Sequence, residues 1–549
     1  MKKMKKLRVF NIGMIRSMHL FAGALIFLGM GKPANAASGA GDVVGKVTVG
    51  YQGWFACNGD GSPMNNWWHW ANNWAQSPSP SNNAIKAWPD LREYATSYQT
   101  AFANLGNGQP AKLFSSYDQQ TVNTQFLWMQ QNNIDTAALQ RFNPTGGEGP
   151  QRDGMATKVR TAAETYGRKF YIMYDITGWE TMDTDIKTDW TNKMSALTAS
   201  SAYAKQNGKP VVCIWLATSD RPVSELLDVV NWFKGQGCYV IGGVERAWRT
   251  DSAKISVYNA MNMISPWLIG SIGSISDADN YYSGTMVADQ SYCNSHGIDF
   301  QAVVLPGDLS LHQRVHGNLM WEMFYNAVRV GCQGIYVSMY DEFNEGNQIC
   351  ETAEDSSMIP SGSGFLGLNE DGTYCTSNYY LRLTGDGDRM LKGQIGLTSV
   401  RPTNPGAGAM IEQCSTLAES NTTGLTYSPI TGGPNGEVAC KLYSTGVGQF
   451  LQFTVTGIVQ GTSYDVTIGY RSDPSRGQCK LSVNGTAQPQ LATLDEYQAT
   501  SNWDQTQDLG TFVAGAAGTT RTFTFTVSGK NSAATGYTMA PEWITLTPL

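Results

Sequence analysis

Between about residues 44 and 398, short runs rich in Val, Ile and aromatics alternate with stretches of helical periodicity. The strand-like runs are Val47–Tyr51, Ile134–Leu139, Phe170–Tyr174, Val211–Trp215, Tyr239–Gly242, Trp267–Gly270, Phe300–Leu305 and Ile335–Tyr340. Amphipathic segments lie between them: Gly154–Thr165, Asp185–Lys205, Val223–Lys234, Gly284–His296 and Gln313–Val330. Eight strands with helical crossovers predict an α/β fold, a (β/α)8 TIM-like barrel over residues 37–398. A doubly wound open sheet is the alternative, and no GxGxxG fingerprint supports it. Around 399–409, Pro402, Pro405, Gly406 and Gly408 read as a linker. From 410 to 549 the period changes to strand-like alternation, with Asn484-Gly485 as a hairpin signal. This predicts an all-β jelly-roll sandwich, serving as either a carbohydrate-binding module or a structural accessory.

A barrel gathers polar side chains at the C-terminal ends of its strands. Such residues do cluster there: Tyr51-Gln52-Gly53-Trp54, Gln140-Arg141-Phe142, Tyr174-Asp175, Glu245-Arg246-Ala247-Trp248-Arg249 and Pro306-Gly307-Asp308 with His312 beyond. The last strand runs straight into Tyr340-Asp341-Glu342-Phe343-Asn344-Glu345-Gly346. Burying three carboxylates there is costly unless they are paired, hydrogen-bonded or used in chemistry. If the chain turns just after Glu342, both glutamates point into the barrel mouth. Two carboxyl groups flanking one bond are what glycoside hydrolysis needs. The competing reading is a calcium-binding or structural carboxylate cluster, which suits Asp341 best.

The loop after the first strand carries Trp67, Trp68, His69, Trp70, Trp74 and Trp88. These aromatics read either as walls of sugar subsites or as a hydrophobic plug of the mouth. Tyr51, Trp54, His69, Trp70, Asp175, Trp248, Arg249, His312 and Tyr340 are candidate substrate contacts. Arg249 reads either as a clamp on Glu342 or Asp175 or as a structural ion pair. His312 and His316 have metal-like spacing but lack a third ligand, so no metal and no cofactor is expected.

The N-terminus places Lys2, Lys3, Lys5, Lys6, Arg8 and Arg16 before the apolar run Leu20 to Met30, followed by Ala34-Asn35-Ala36. This is the pattern of a secretory signal peptide over residues 1–36. Its removal leaves 31 Lys and Arg against 45 Asp and Glu, a net charge near −14. An acidic surface argues against nucleic acid as partner but permits neutral sugars. No later stretch is long and apolar enough to span a bilayer. A secreted (extracellular or periplasmic) monomer acting on a polysaccharide or glycan is expected. The ten cysteines of an exported chain permit disulfides, with Cys350–Cys375 as a local candidate.

Ordered motifs run through the whole barrel: Gly50-Tyr51-Gln52-Gly53-Trp54-Phe55, His69-Trp70, Pro89-Asp90-Leu91-Arg92-Glu93-Tyr94, Phe114-Ser115-Ser116-Tyr117, Gln140-Arg141-Phe142, Tyr174-Asp175-Ile176-Thr177-Gly178, Ser265-Pro266-Trp267 and Met339-Tyr340-Asp341-Glu342-x-x-Glu345-Gly346. On these the chain resembles bacterial proteins related to glycoside hydrolase families 99 and 71. The resemblance implies a retaining (β/α)8 enzyme acting on an α-mannoside or α-glucan. It also implies that Glu342 is the base acting on the sugar 2-hydroxyl and Glu345 the general acid. The flanks of the acidic pair differ from the Asn-Glu-Trp-His of family 99, so the pocket walls differ. The order of the C-terminal strands loosely resembles carbohydrate-binding modules of families 6 and 35. The alternative function is a non-catalytic, lectin-like protein on the same barrel.

Overall fold

The computed structural model describes residues 38–548 except 218–219, 407–409, 434–437, 457, 459–461 and 516–519. The expected signal peptide therefore lies outside the described residues. Eight parallel strands close on one another in chain order: β1 (Val47–Tyr51), β2 (Thr136–Arg141), β3 (Lys169–Asp175), β4 (Lys209–Trp215), β5 (Tyr239–Val244), β6 (Met263–Pro266), β7 (Asp299–Val304) and β8 (Gly334–Val337). Pairing of β1 with β8, Val49 opposite Val337, seals the ring. The result is a closed (β/α)8 barrel.

The crossovers are helical. The principal helices are α1 (Gln119–Gln131), α2 (Gly149–Thr165), α3 (Met182–Asp189), α4 (Val223–Gly235), α5 (Ile255–Ala260), α6 (Ile275–Tyr281), α7 (Val287–His296), α8 (Asn318–Val330) and α9 (Tyr379–Leu391). The expected helix 185–205 stops early: α3 passes into a π-turn at Trp190–Met194 and a 3-10 turn at Ser195–Ala199. The sixth strand sits four residues before the expected Trp267–Gly270. Pro266 ends it, and the apolar Trp267-Leu268-Ile269 that follows belongs to the rim.

Alternation along the strands decides which side chains enter the barrel. Gly50 of β1 faces inward: a Cβ there would lie 2.1 Å from Tyr336 Oη and 2.4 Å from Met339 Sδ. Its neighbour Tyr51 therefore faces outward, packing on Phe126 of α1.

After the barrel come two antiparallel sheets. One orders Met410–Gln413, Pro541–Pro548, Ser463–Tyr470 and Gln505–Val513. The other orders Ala418–Asn421, Phe450–Val455, Arg521–Gly529 and Gln478–Val483. Their inner faces share one core, with the Phe512 and Phe523 rings 5.9 Å apart. The Asn484-Gly485 turn has both residues at positive φ (48° and 74°), as a two-residue hairpin loop requires. Part of the expected linker is held down: Arg401 donates to Asn318 at 3.0 Å, and Thr376 N–H donates to the Pro405 carbonyl at 2.9 Å.

All ten cysteines are buried free thiols, which corrects the expected Cys350–Cys375 bridge. Cys350 instead sits against Tyr94 Oη at 3.7 Å and Gln125 Nε2 at 3.9 Å.

Candidate active site

The chain leaves β8 and folds into a tight turn. Glu345 N–H donates to the Glu342 carbonyl at 3.2 Å, so both glutamates project from one turn. Asp341 anchors it. Its two carboxylate oxygens accept the N–H groups of Gln52 and Gly53, each at 2.8 Å, tying the β8 end to the β1 end. Burial nevertheless pushes the Asp341 carboxyl up to about 6.

Glu342 is 5 % exposed. Its Oε1 accepts from Gln52 Nε2 at 3.1 Å, while its Oε2 is buried without a partner. Burial first, and the neighbouring charge of Glu345 second, hold its carboxyl well above the ordinary range. Glu345 is partly buried and lines a cleft of about 500 Å³ with Lys86, Asp308, Asn344, Ile269 and Gln313. Its carboxyl is also raised by burial, against the lowering influence of Lys86. Lys86 arrives on the long β1 loop, pinned by its N–H to the Phe343 carbonyl at 2.9 Å, and its ammonium pairs with Asp308 at 2.7 Å. Gly346, at φ 72°, lets Asp308 approach: a Cβ there would lie 2.5 Å from Asp308 Oδ1. Three loops thus converge on Glu345.

The inner face beside Glu342 is formed by Tyr336, whose hydroxyl lies 3.5 Å from Gln140 Nε2, 3.5 Å from Met173 Sδ and 3.4 Å from Met339 Sδ. Trp54 stacks on His69 with centroids 3.9 Å apart and on Phe142 at 5.6 Å, and the Arg152 guanidinium lies 4.7 Å from the Phe142 centroid. Arg152 also donates to the Gln52 carbonyl at 2.9 Å, linking this stack to the turn. Burial first, and the Arg152 charge second, lower the His69 imidazole well below its ordinary value.

Several expected contacts fall elsewhere. Tyr51 and Tyr340 are fully buried on the outer side of the strands, their hydroxyls donating to Gln125 Oε1 and the Gln125 carbonyl of α1. Trp70 is buried too, with its indole N–H on the Phe114 carbonyl at 2.9 Å. Trp248 and Arg249 both bind Asp289 of α7, at 3.0 and 2.9 Å, so Arg249 clamps neither Glu342 nor Asp175. His312 is exposed and pairs with Glu370, while His316 pairs with Asp371 at 2.7 Å. Asp175 is at the mouth, but its Oδ1 caps the Thr177 N–H at 2.9 Å, a turn carboxylate raised by burial.

The acidic pair, Trp54 and His69 are therefore the expected residues that the β1 and β8 ends bring to the mouth. Gln52, Lys86, Asp308 and Arg152 complete the surroundings of the pair and were not foreseen in that role. Gln52 and Asp308 could have been found as polar residues at strand ends. Lys86 and Arg152 carry no local sequence signal.

No protein-family model matches the chain, and no curated protein matches it. Among solved structures, the chain is similar to the GH99 endo-alpha-mannosidase from Bacteroides thetaiotaomicron over 64% of its own length and 98% of that chain, at 14% identity and a TM-score of 0.48. It is similar to a family 35 carbohydrate binding module from Clostridium thermocellum over 26% of its length and 98% of that chain, at 16% identity and a TM-score of 0.18. Paenibacillus xanthan lyase is similar over 28% of this chain and 14% of that chain, at 20% identity and a TM-score of 0.23.

Proposed function

We propose that the protein is an exported, retaining glycoside hydrolase that cleaves an α-linked polysaccharide or glycan, an α-mannoside or α-glucan, with Glu342 and Glu345. The observation that carries this reading is the acidic pair itself. Two carboxyls on one turn at the mouth of a closed barrel each have their charged form disfavoured, and each is reached by a different supporting group, Gln52 or Lys86. Two neighbouring carboxyls raised by burial are disposed to share a proton, as acid–base chemistry on a glycosidic bond requires.

In the ligand-free site, burial favours Glu342 as the holder of that proton. The roles implied by the family resemblance need it on Glu345. Substrate can move it. A sugar 2-hydroxyl donating to Glu342 favours the carboxylate there, while a glycosidic oxygen accepting from Glu345 favours the acid form. Glu342 then takes the 2-hydroxyl proton as that oxygen attacks the anomeric carbon. Glu345 gives its proton to the leaving oxygen, and later takes one from the water that opens the intermediate. Asp341 has no part in the proton transfer; it fixes the turn.

Export rests on the N-terminal sequence pattern. The sandwich is assigned to sugar binding in support of the barrel. The test is hydrolysis of α-mannan and α-1,3-glucan by wild type, Glu342→Gln and Glu345→Gln. Each substitution is expected to lower kcat by about a hundredfold or more. Tight binding without cleavage by the wild type would favour the lectin-like alternative.

A further inference from the structure

A row of aromatic rings leads from the ends of β1 and β2 to the surface. Phe142 stacks on Trp54 (5.6 Å, 21°), Trp54 on His69 (3.9 Å, 16°), His69 meets Trp68 edge-on (4.9 Å, 82°), and Trp68 meets Trp74 (3.9 Å, 65°). Trp54 stands two residues after Gln52, which holds Glu342. At the far end Trp74 is 45 % exposed, whereas Trp67, Trp70 and Trp88 of the same loop are 6 %, 0 % and 1 % exposed. The loop can bury indoles, yet it leaves this one out.

Nor is Trp74 on a slack tip. Trp67 N–H donates to the Trp74 carbonyl at 2.9 Å. Asn82 fastens the next residue from both sides, accepting from Asn73 N–H at 2.8 Å and donating to the Asn73 carbonyl at 3.1 Å. A rigid, exposed indole continuous with a catalytic mouth is preorganised to stack on the C–H face of a sugar ring.

We infer that Trp74, backed by Trp68, is a remote subsite for a neutral polysaccharide chain whose cleaved bond lies at the Glu342–Glu345 turn. This rests on the proposed hydrolase reading and deepens it: the substrate is a polymer occupying several subsites rather than a short terminal glycoside. Charge agrees within the sequence: residues 61–85, which carry Trp68 and Trp74, hold no Asp, Glu, Lys or Arg, and Arg152, 5.7 Å from the Trp54 centroid, is buried.

The test uses the full-length protein in two arms. In the first, Trp74→Ala is compared with wild type on a long chain and on a short oligosaccharide of the same linkage. The ratio of kcat/KM, long over short, is expected to fall about tenfold, the scale of half an indole's apolar surface losing its cover. An unaltered ratio overturns the proposal. The second arm does not depend on cleavage: amide hydrogen exchange across residues 66–76, with and without soluble α-mannan or α-1,3-glucan. Protection there in wild type, lost in Trp74→Ala, supports the subsite even if no substrate is hydrolysed, in which case only the hydrolase reading fails. Absence of protection with every glycan overturns the subsite. So does concentration-dependent self-association that Trp74→Ala abolishes, which would mean that a second copy covers the indole.

Discussion

Asp341 gives the acidic turn a measurable pH signature. Its carboxylate is fully buried, and its folded-state value of about 6 lies above the ordinary 3.8. A raised folded value means that the neutral form stabilises the fold. That contribution is complete below the unfolded value and is lost as pH rises through about 6. At about 1.4 kcal/mol per unit, the two values imply about 3 kcal/mol in all, of which about 2.4 kcal/mol is lost between pH 4 and 7. Asp341→Asn cannot ionise. It carries instead a pH-independent cost of about 1–3 kcal/mol, because one of the two backbone N–H groups of Gln52 and Gly53 would face an amide N–H. The stability of wild type minus variant should therefore fall by about 2.4 kcal/mol from pH 4 to pH 7. Urea unfolding followed by tryptophan fluorescence is suited to this, since 14 of the 16 tryptophans precede residue 398 and report the barrel. A difference that stays flat across this range, or rises, would refute the claim that this carboxylate is held in a medium hostile to its charge.

Other perturbations have equally defined outcomes. Lys86→Met removes the cation that lowers the Glu345 carboxyl, so the limb of the pH–activity profile governed by Glu345 should move to higher pH; an unmoved limb would separate Lys86 from the chemistry. Gly50→Ala would drive a methyl into Tyr336 and Met339 at the inner face, costing about 1–3 kcal/mol in urea unfolding; a neutral result would contradict the inward orientation of Gly50.

Much of the barrel was legible because most strands are short runs of Val, Ile and aromatics and because β1 and α4 begin where the sequence pattern says they should. β6 was misplaced because two apolar runs adjoin there, and Pro266 decides between them by ending the ladder. The acidic turn could be read because three carboxylates after a buried strand demand a reason. Its neighbours were harder. Tyr51 and Trp54 look alike as aromatics at a strand end, but Gly50 takes the inward position, which turns Tyr51 towards α1 and leaves Trp54 beyond the strand. Arg249 reads equally as a clamp on an acid or as a structural ion pair, and Trp248 as a substrate contact, until Asp289 arrives from α7, forty positions away, to bind both. Lys86 reaches Asp308 across 222 residues, and no local pattern encodes such a meeting.

The account stands or falls on what the Glu342–Glu345 turn does to a glycosidic bond. The most direct measurement is time-resolved proton NMR of the first product released from α-mannan or α-1,3-glucan, before mutarotation, with wild type, Glu342→Gln and Glu345→Gln run side by side. An α-anomeric reducing end is expected from the wild type, with near-complete loss of that signal in both variants. A β-anomer, or cleavage that survives either substitution, would contradict it.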